Sequence, residues 1–309
     1  MKKCLIIDYQ LKGFQKNKAL FQRFGYFCTL MKNRISVYFL LIAMLLTFGS
    51  CSKFNRIRKS GDMNLKYDAA VKYFENKKYY NALQLFEELI VVLKGTDKAE
   101  SSYYYYCLSY FYTGDYTSAA YHFNNFAQTF PMSAKAEDAL FYNAYCYYLD
   151  SPPSSLDQQS SLDAIRQFQL FINKYPTSQR VAECNKYIDE LRGKLEVKAW
   201  DNAMLYYKME EYKSAIVAFE NVVKDFPTTK YQEECLFLSL KSAYLYAQNS
   251  IESKKEERYK STLDHYNKLI EIFPETEYKK EAGRIMSAAE EKLKDYHTVN
   301  WLKQWIAET

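Results

Sequence analysis

The chain has 309 residues, a formal net charge of +5 and 48% hydrophobic residues. Residues 1–50 hold eight Lys or Arg and one Asp, which leaves a net charge of about −2 for residues 51–309. The basic balance therefore belongs to the start of the chain and does not indicate nucleic-acid binding. With eight glycines and no GxxxxGK, GxGxxG or GxSxG motif, the sequence also gives no support for nucleotide binding or a serine hydrolase.

Residues 31–50 have the three parts of a secretory signal. Two basic residues precede an apolar run from Val37 to Phe48, and Gly49-Ser50-Cys51 follows. The run is too short to span a bilayer as a helix. We therefore predict a lipoprotein signal peptide over residues 31–50. Residues 1–30 have no cleavage site of their own and are predicted to be a spurious upstream extension.

The Gly-Ser-Cys ending resembles a lipobox, although Phe48 stands where leucine is usual. In a lipobox the cysteine becomes the first mature residue and is acylated, so Cys51 is the predicted lipidation site and residues 51–61 a lipid-anchored linker. By resemblance to lipoprotein sorting rules, Ser52 permits transport to the outer membrane. The absence of an acidic cluster after it argues against display on the cell surface. The predicted location is the inner leaflet of the outer membrane, facing the periplasm.

Residues 62–275 carry a repeated pattern: a small residue, an aromatic residue four positions later, and a helix-ending pair. The full copies are Ala119, Phe123 and Phe130-Pro131; Ala164, Phe168 and Tyr175-Pro176; Ala215, Phe219 and Phe226-Pro227; and Thr262, Tyr266 and Phe273-Pro274. A first copy has Ala82 and Phe86, followed by Leu93-Lys94. A spacing of four puts two side chains on one helix face, and proline ends a helix. The pattern resembles the tetratricopeptide (TPR) repeat. It predicts an all-α, TPR-like α-solenoid of about five helix-turn-helix repeats with a C-terminal capping helix.

The repeats are longer than a minimal unit of about 34 residues, and the excess has identifiable places. Ser151–Ser161 is a loop by composition. Thr177–Leu195 has a helical apolar pattern and predicts an extra helix that continues into Trp200. Gln248–Arg258 is charged and is either a helix extension or a loop. Glu275–Tyr296 predicts the capping helix.

The cysteines and histidines do not form a recognisable catalytic or metal site. No Cys-x-x-Cys or His-x-x-x-His motif is present. The repeats place four cysteines in different apolar helices, which favours buried thiols over disulfides, although an export compartment permits disulfides. We predict no metal, no cofactor and no enzymatic activity. The residues concerned are Cys107, Cys146, Cys184, Cys235, His122, His265 and His297.

Aromatic residues dominate the face that lines the concave surface in the TPR pattern. Tyrosine suits a half-wet groove because it combines a large apolar body with a hydroxyl group. The alternative is that many of these side chains only pack helix against helix. Within Tyr103–Tyr106, at most two side chains can face one groove. The predicted peptide-binding residues are Tyr67, Phe74, Tyr104, Phe111, Tyr112, Phe141 and Tyr145.

The lipobox, the short linker, five repeats and the terminal helix together resemble the BamD family, lipoproteins of the outer-membrane β-barrel assembly machinery. The resemblance covers about Cys51–Tyr296. Strings that carry it are LKGTDKAESSYYYYCLSYFYTGDYTSAAYHFNNFAQTFP, LDQQSSLDAIRQFQLFINKYPTSQ and AMLYYKMEEYKSAIVAFENVVKDFPTTKYQEE.

The resemblance implies two binding regions and two protein partners. Residues 62–150 are expected to receive targeting segments of unfolded outer-membrane proteins. Residues 151–298 are expected to dock the periplasmic domains of a BamA-like β-barrel insertase. The tail, residues 299–309, either packs on the last helix or binds a partner or membrane interface. The predicted partner-docking residues are Trp200, Tyr207, Lys208 and Tyr244.

Three other functions stay open. The chain is alternatively another periplasmic TPR lipoprotein scaffold, such as a coordinator of cell-wall synthesis and division, although the linker is too short for the coiled coil that such proteins often carry. It is alternatively a glycan-capturing lipoprotein of the SusD kind, which is usually far longer. An enzyme with an unrecognised site is the third possibility.

Overall fold

The computed structural model describes residues 53–308, without the side chains of His297 and residues 299–308. The predicted signal peptide, the upstream extension and Cys51 lie outside the described residues, as do the side chains of Trp301 and Trp305. The described residues fold as an all-α, TPR-like α-solenoid, as the sequence predicts. No strand occurs in this part of the chain.

Eleven helices follow a short helix over residues 53–58 within the described part of the chain. The helices are counted in consecutive pairs from the first, and the last helix has no second helix in this count. Within each of the two compact units described below, helices that follow one another in the chain pack together. The helices are α1 (Met63–Glu75), α2 (Tyr79–Val92), α3 (Ala99–Thr113), α4 (Tyr116–Thr129), α5 (Ala136–Asp150), α6 (Gln159–Lys174), α7 (Val181–Lys208), α8 (Tyr212–Asp225), α9 (Gln232–Gln248), α10 (Glu252–Ile272) and α11 (Lys279–Glu308).

The repeated sequence pattern determines the packing within each pair. The small residue of every copy is fully buried, because only a small side chain lets the two helices of a pair approach closely. The aromatic residue four positions later is also fully buried in the first four copies. Helices α4, α6, α8 and α10 each end one residue before the aromatic–proline pair. Proline disfavours the helical conformation of the residue before it, which here is the aromatic residue, so each helix ends just before that residue.

The inserted segments take the predicted places. The extra helix continues through Trp200, as predicted, so α7 is a single helix of 28 residues. The charged segment Gln248–Arg258 is a helix extension rather than a loop, because α10 begins at Glu252. The capping helix α11 begins later and ends later than predicted.

The loop between α5 and α6 is held by two lysines of α7. Lys194 Nζ donates to Ser151 Oγ at 2.5 Å, and Lys198 Nζ donates to the Leu156 carbonyl oxygen at 2.7 Å. Desolvation by burial lowers the pKa of Lys194. The long helix therefore fixes a loop that composition alone identifies as irregular.

The described residues divide into two compact units, one that ends at Thr113 and one that begins at Gly114. In the first unit, Leu85, Phe86 and Leu89 form a fully buried core between α1, α2 and α3. Lys66, which is 6% exposed, pairs there with Glu88 at 2.6 Å.

The second unit contains α4–α11 and has several buried clusters. One surrounds Phe168 and Leu191, and another surrounds Phe219 and Leu240.

The four predicted thiols of the two units are fully buried and form no disulfide among the described residues, as the sequence analysis favoured.

Candidate functional site

In four of the helix pairs, the first helix presents an aromatic ring that the next repeat covers. In each case the covering residue directly precedes the first helix of the following repeat. Two of these contacts are made by cations: Lys98 Nζ lies 4.8 Å from the centroid of the Tyr67 ring, and Arg180 Cζ lies 4.2 Å from the centroid of the Phe141 ring. The other two are stacked rings, with centroids 4.6 Å apart for Trp200 and Tyr231 and 4.2 Å apart for Phe237 and Tyr278. Three predicted site residues, Tyr67, Phe141 and Trp200, therefore take part in packing between repeats.

A short turn positions each covering residue. Thr229 Oγ1 accepts a hydrogen bond from the Tyr231 backbone N–H at 3.1 Å and donates to Glu196 at 2.5 Å. Ser178 makes the same two contacts, with Arg180 at 3.1 Å and Glu137 at 2.5 Å. The covering residue is the fifth after the first residue of the helix-ending pair. The sequence carries this spacing, which therefore identifies the covering residues.

An open depression of about 500 Å³ lies between α1 and α3 in the first unit, and we call it the α1–α3 depression. Tyr67, which was predicted to face a groove, lines it together with Val71. Tyr105 supplies the α3 side, with its ring stacked on Phe86 at 5.6 Å. The predicted Tyr104 is half-buried and does not line this depression. The other lining residues are Asp68, Lys72, Glu75 and Asn76.

A second aromatic group in the first unit contains the predicted residues Phe74 and Tyr112. The Tyr112 ring stacks on Tyr79 at 4.7 Å, and Phe74 meets both rings edge-on. Phe111 packs edge-on against Tyr112 at 5.3 Å. Tyr112 is 48% exposed, so one side of this group is open to solvent.

In the second unit, the predicted residues Phe141 and Tyr145 belong to a stack that α7 covers. Phe141, Tyr145 and Tyr148 follow one another along α5 with ring centroids 5.8 and 5.7 Å apart. Tyr187 of α7 lies 5.3 Å from Tyr145 and 4.4 Å from Tyr148. The face of α5 on which a groove was predicted is therefore largely occupied by the extra helical segment.

Hydrogen bonds to carboxylates fix the polar ends of this stack. Tyr148 Oη donates to Glu190 at 2.6 Å, and Tyr187 Oη donates to Glu183 at 2.8 Å. The bond to Glu190, assisted by burial, raises the pKa of Tyr148 to about 12. Burial and the bond to Glu183 also raise the pKa of Tyr187, so both phenols are protonated near neutral pH.

The predicted docking residues do not form one cluster. Trp200 lies against Phe219 and Tyr231, whereas Tyr244 lies against Tyr259 at 6.0 Å and accepts from Gln248 at 2.9 Å. Lys208, the last residue of α7, is exposed.

Tyr207 lies where α7, α9 and α11 bring polar groups together. Lys241 Nζ donates to Glu281 at 2.8 Å. This hydrogen bond raises the pKa of Lys241 against the opposing effect of burial, and the neighbouring Tyr207 contributes to the increase. Lys241 and Glu281 were not predicted as site residues.

Two further observations concern chemistry and membranes. The part of the chain that the structure describes has no group of three or more His, Cys, Asp or Glu side chains that could hold a metal ion. Over the same residues, no helix is both long enough and apolar enough to cross a bilayer.

Comparisons with known proteins point to one family. The family model YfiO, described as an outer membrane lipoprotein, matches residues 59–258 and 198–304. The protein "Outer membrane protein assembly factor BamD" of Rickettsia prowazekii (strain Madrid E) is 24% identical over 189 residues, which are 61% of this chain and 75% of that protein. A solved structure titled "TPR2AB-domain:pHSP90-complex of yeast Sti1" covers 74% of this chain and 98% of its own, with 12% identity and a TM-score of 0.35.

Proposed function

The chain belongs to the YfiO family of outer membrane lipoproteins, and from this premise we propose that it is a non-catalytic component of the machinery that assembles β-barrel proteins in the outer membrane. The family match carries the proposal, because its two parts together extend from residue 59 to residue 304 and so include all the helix pairs. The name of the Rickettsia relative supports the same process.

We assign the binding of unfolded outer-membrane proteins to the first unit. The α1–α3 depression is open and offers the rings of Tyr67 and Tyr105 beside charged and amide groups. An extended peptide with aromatic anchors fits such a surface, because rings contribute apolar area at a low cost in conformational entropy. The half-exposed Tyr112 supplies a second anchor point on the same unit.

We assign the docking of a BamA-like insertase, through its periplasmic domains, to the second unit. Lys208 is free to contact a partner, and Tyr207 lies one residue before it near the end of α7. Trp200 supports this surface by packing between repeats. Acylation of Cys51 would anchor the chain in the inner leaflet of the outer membrane, with the repeats in the periplasm.

The docking assignment is tested by affinity purification of the tagged protein, expressed from Met31, in mild detergent with mass spectrometry of the proteins recovered. We expect a β-barrel insertase with periplasmic repeat domains. Lys208→Glu should reduce its recovery, whereas Lys213→Glu, which makes the same charge change at another exposed position of the unit, should not. Recovery of cell-wall synthases or glycan-uptake receptors instead would overturn the assignment.

The substrate assignment is tested by site-specific photo-crosslinking in cells. A photoreactive phenylalanine analogue at Val71, inside the α1–α3 depression, should capture newly exported outer-membrane proteins. The same group at Tyr80, which is 66% exposed and does not line the depression, serves as the control. Equal capture at both positions would show that the depression is not the binding site.

A further inference from the structure

A cavity of about 370 Å³ lies between the short helix over residues 53–58 and the first helix pair, entirely within the first unit. It is separate from the α1–α3 depression, with which it shares only Lys72 and Asn76. Three lysines and two asparagines line it together with three less polar side chains, and no carboxylate does. The lining residues are Lys53, Ile57, Ala69, Lys72, Tyr73, Asn76, Lys78 and Asn81.

The three lysines of this basic cavity are available to a ligand. Lys53, Lys72 and Lys78 are exposed, and none pairs with a carboxylate among residues 53–308. Lys66 on the same helix pair behaves differently, because it is buried against Glu88. Three like charges around one concave site repel one another and raise the local positive potential, and a bound anion relieves that repulsion.

Packing holds the short helix in place as one wall of the basic cavity. Phe54 meets the Tyr73 ring edge-on at 5.6 Å, and Ile57 packs against the core of the first unit. Arg58 donates to Gln84 Oε1 at 3.3 Å. The start of the described chain is therefore fixed against α1 and α2, which places Lys53 at the cavity.

We propose that the basic cavity binds the phosphate group of a phospholipid in the membrane to which the chain is anchored. The proposal rests on the proposed function in one respect, the acylation of Cys51. Cys51 lies two positions before Lys53, and two steps along the chain span at most about 7 Å in any conformation. The acyl chains therefore enter the bilayer beside the cavity, so lipid headgroups are the anions nearest to it.

The lining suits such a headgroup. Lysine ammonium groups bind phosphate oxygens as point charges, and the Asn81 amide supplies N–H donors. Ile57, Ala69 and the Tyr73 ring offer apolar contact to the glycerol carbons next to the phosphate. A volume of about 370 Å³ lies in the usual range of small-ligand sites. Headgroup binding would hold the first unit at the membrane surface rather than leave it at the end of a free tether.

The test is native mass spectrometry of the purified, acylated protein in detergent, titrated with dihexanoylphosphatidylglycerol and, separately, with inorganic phosphate. The double substitution Lys72→Gln/Lys78→Gln should weaken binding of the short-chain lipid by about tenfold or more. The control Lys59→Gln/Lys94→Gln removes the same charge from exposed positions of the same unit that do not line the cavity, and it should bind like the unsubstituted protein. Circular dichroism checks that both variants are folded.

Each other outcome overturns the proposal. Equal weakening in both double variants would mean that lipid binds by general charge attraction. Inorganic phosphate that binds as tightly as the lipid would assign the cavity to free phosphate, and retention of a peptide in place of lipid would assign it to a protein ligand. If the intact mass shows no acyl chains, the protein has no lipid anchor, and the argument that places headgroups beside the cavity fails. The titration needs no assembly partner, so failure of the β-barrel assembly role would leave its result unaffected.

Discussion

Trp200 has a packing contact that its position in the sequence does not reveal. Its position on the first helix of a pair predicts a ring that faces a partner. In the structure its ring lies flat on Tyr231, with an angle of 7° between the planes, and its other contact is Phe219. The equivalent contacts of Tyr67, Phe141 and Phe237 show that this is a repeated structural role.

We expect Trp200→Ala to lower the free energy of unfolding by about 3 kcal/mol, because it removes a stacked ring between two repeats. Urea unfolding followed by circular dichroism measures the change. Tyr206→Ala, on the same helix and 43% exposed, is the control and should change stability by no more than about 0.5 kcal/mol. A stable Trp200→Ala variant that loses its partner would instead make Trp200 a docking residue.

The buried cysteines should be chemically inert in the folded protein. Desolvation by burial raises the pKa of Cys184 to about 11 and that of Cys235 to about 12, and raises the pKa of Cys146 further. A raised pKa favours the neutral thiol, so little thiolate is present at pH 8.

We therefore expect iodoacetamide at pH 8 to modify Cys146, Cys184 and Cys235 at least about 100-fold more slowly in the native protein than in urea. Peptide mapping reports each cysteine separately. A cysteine introduced by Met132→Cys, at a position that is 95% exposed, provides the reactive reference. Native labelling of Cys184 or Cys235 at the rate of that reference would contradict the buried-thiol structure.

At the scale of elements, three helix pairs use the same left-handed turn. The residue two positions before the tyrosine that begins the second helix has a positive φ, which is +83° at Gly114, +58° at Lys77 and +61° at Glu210. Only glycine adopts this conformation without strain. The fold therefore imposes the turn even where the sequence does not favour it.

We expect Glu210→Gly to raise the free energy of unfolding by about 0.5–1 kcal/mol, because relief of backbone strain exceeds the entropic cost of glycine. Glu210→Ala is the matched control, since it removes the same charge but keeps a Cβ atom. Thermal or urea unfolding compares the two variants. If the alanine variant is as stable as the glycine variant, the strain argument is wrong.

For the whole molecule, the predicted mature start can be measured directly. Expression of the full chain and of a chain that begins at Met31 should give the same membrane protein, with Cys51 as an acylated first residue. Intact mass and analysis of the N-terminal peptide would show this. Cys51→Ser should leave the signal peptide attached. A mature protein that begins before Cys51 would contradict the predicted signal.

The candidate site was only partly predictable from the sequence. The predicted Tyr67 lines the α1–α3 depression, whereas Tyr105, rather than the predicted Tyr104, supplies its α3 side. Within a run of four tyrosines, a rotation of the helix by a fraction of a turn decides which ring is presented. The basic cavity was not predicted, because its lysines come from three elements that are close only after packing.

The sequence by itself determined the helix pairs, their ends and their buried faces, because small residues, aromatic residues and prolines at fixed spacing act within one or two helices. It also determined the family. The tertiary structure alone decided which aromatic rings are covered by the next repeat and which stay exposed. That outcome depends on contacts between helices far apart in the chain, such as Tyr187 on Tyr145 and Tyr231 on Trp200. The helical period determines which residues share a face of one helix, but it does not determine which residues of another helix pack against that face.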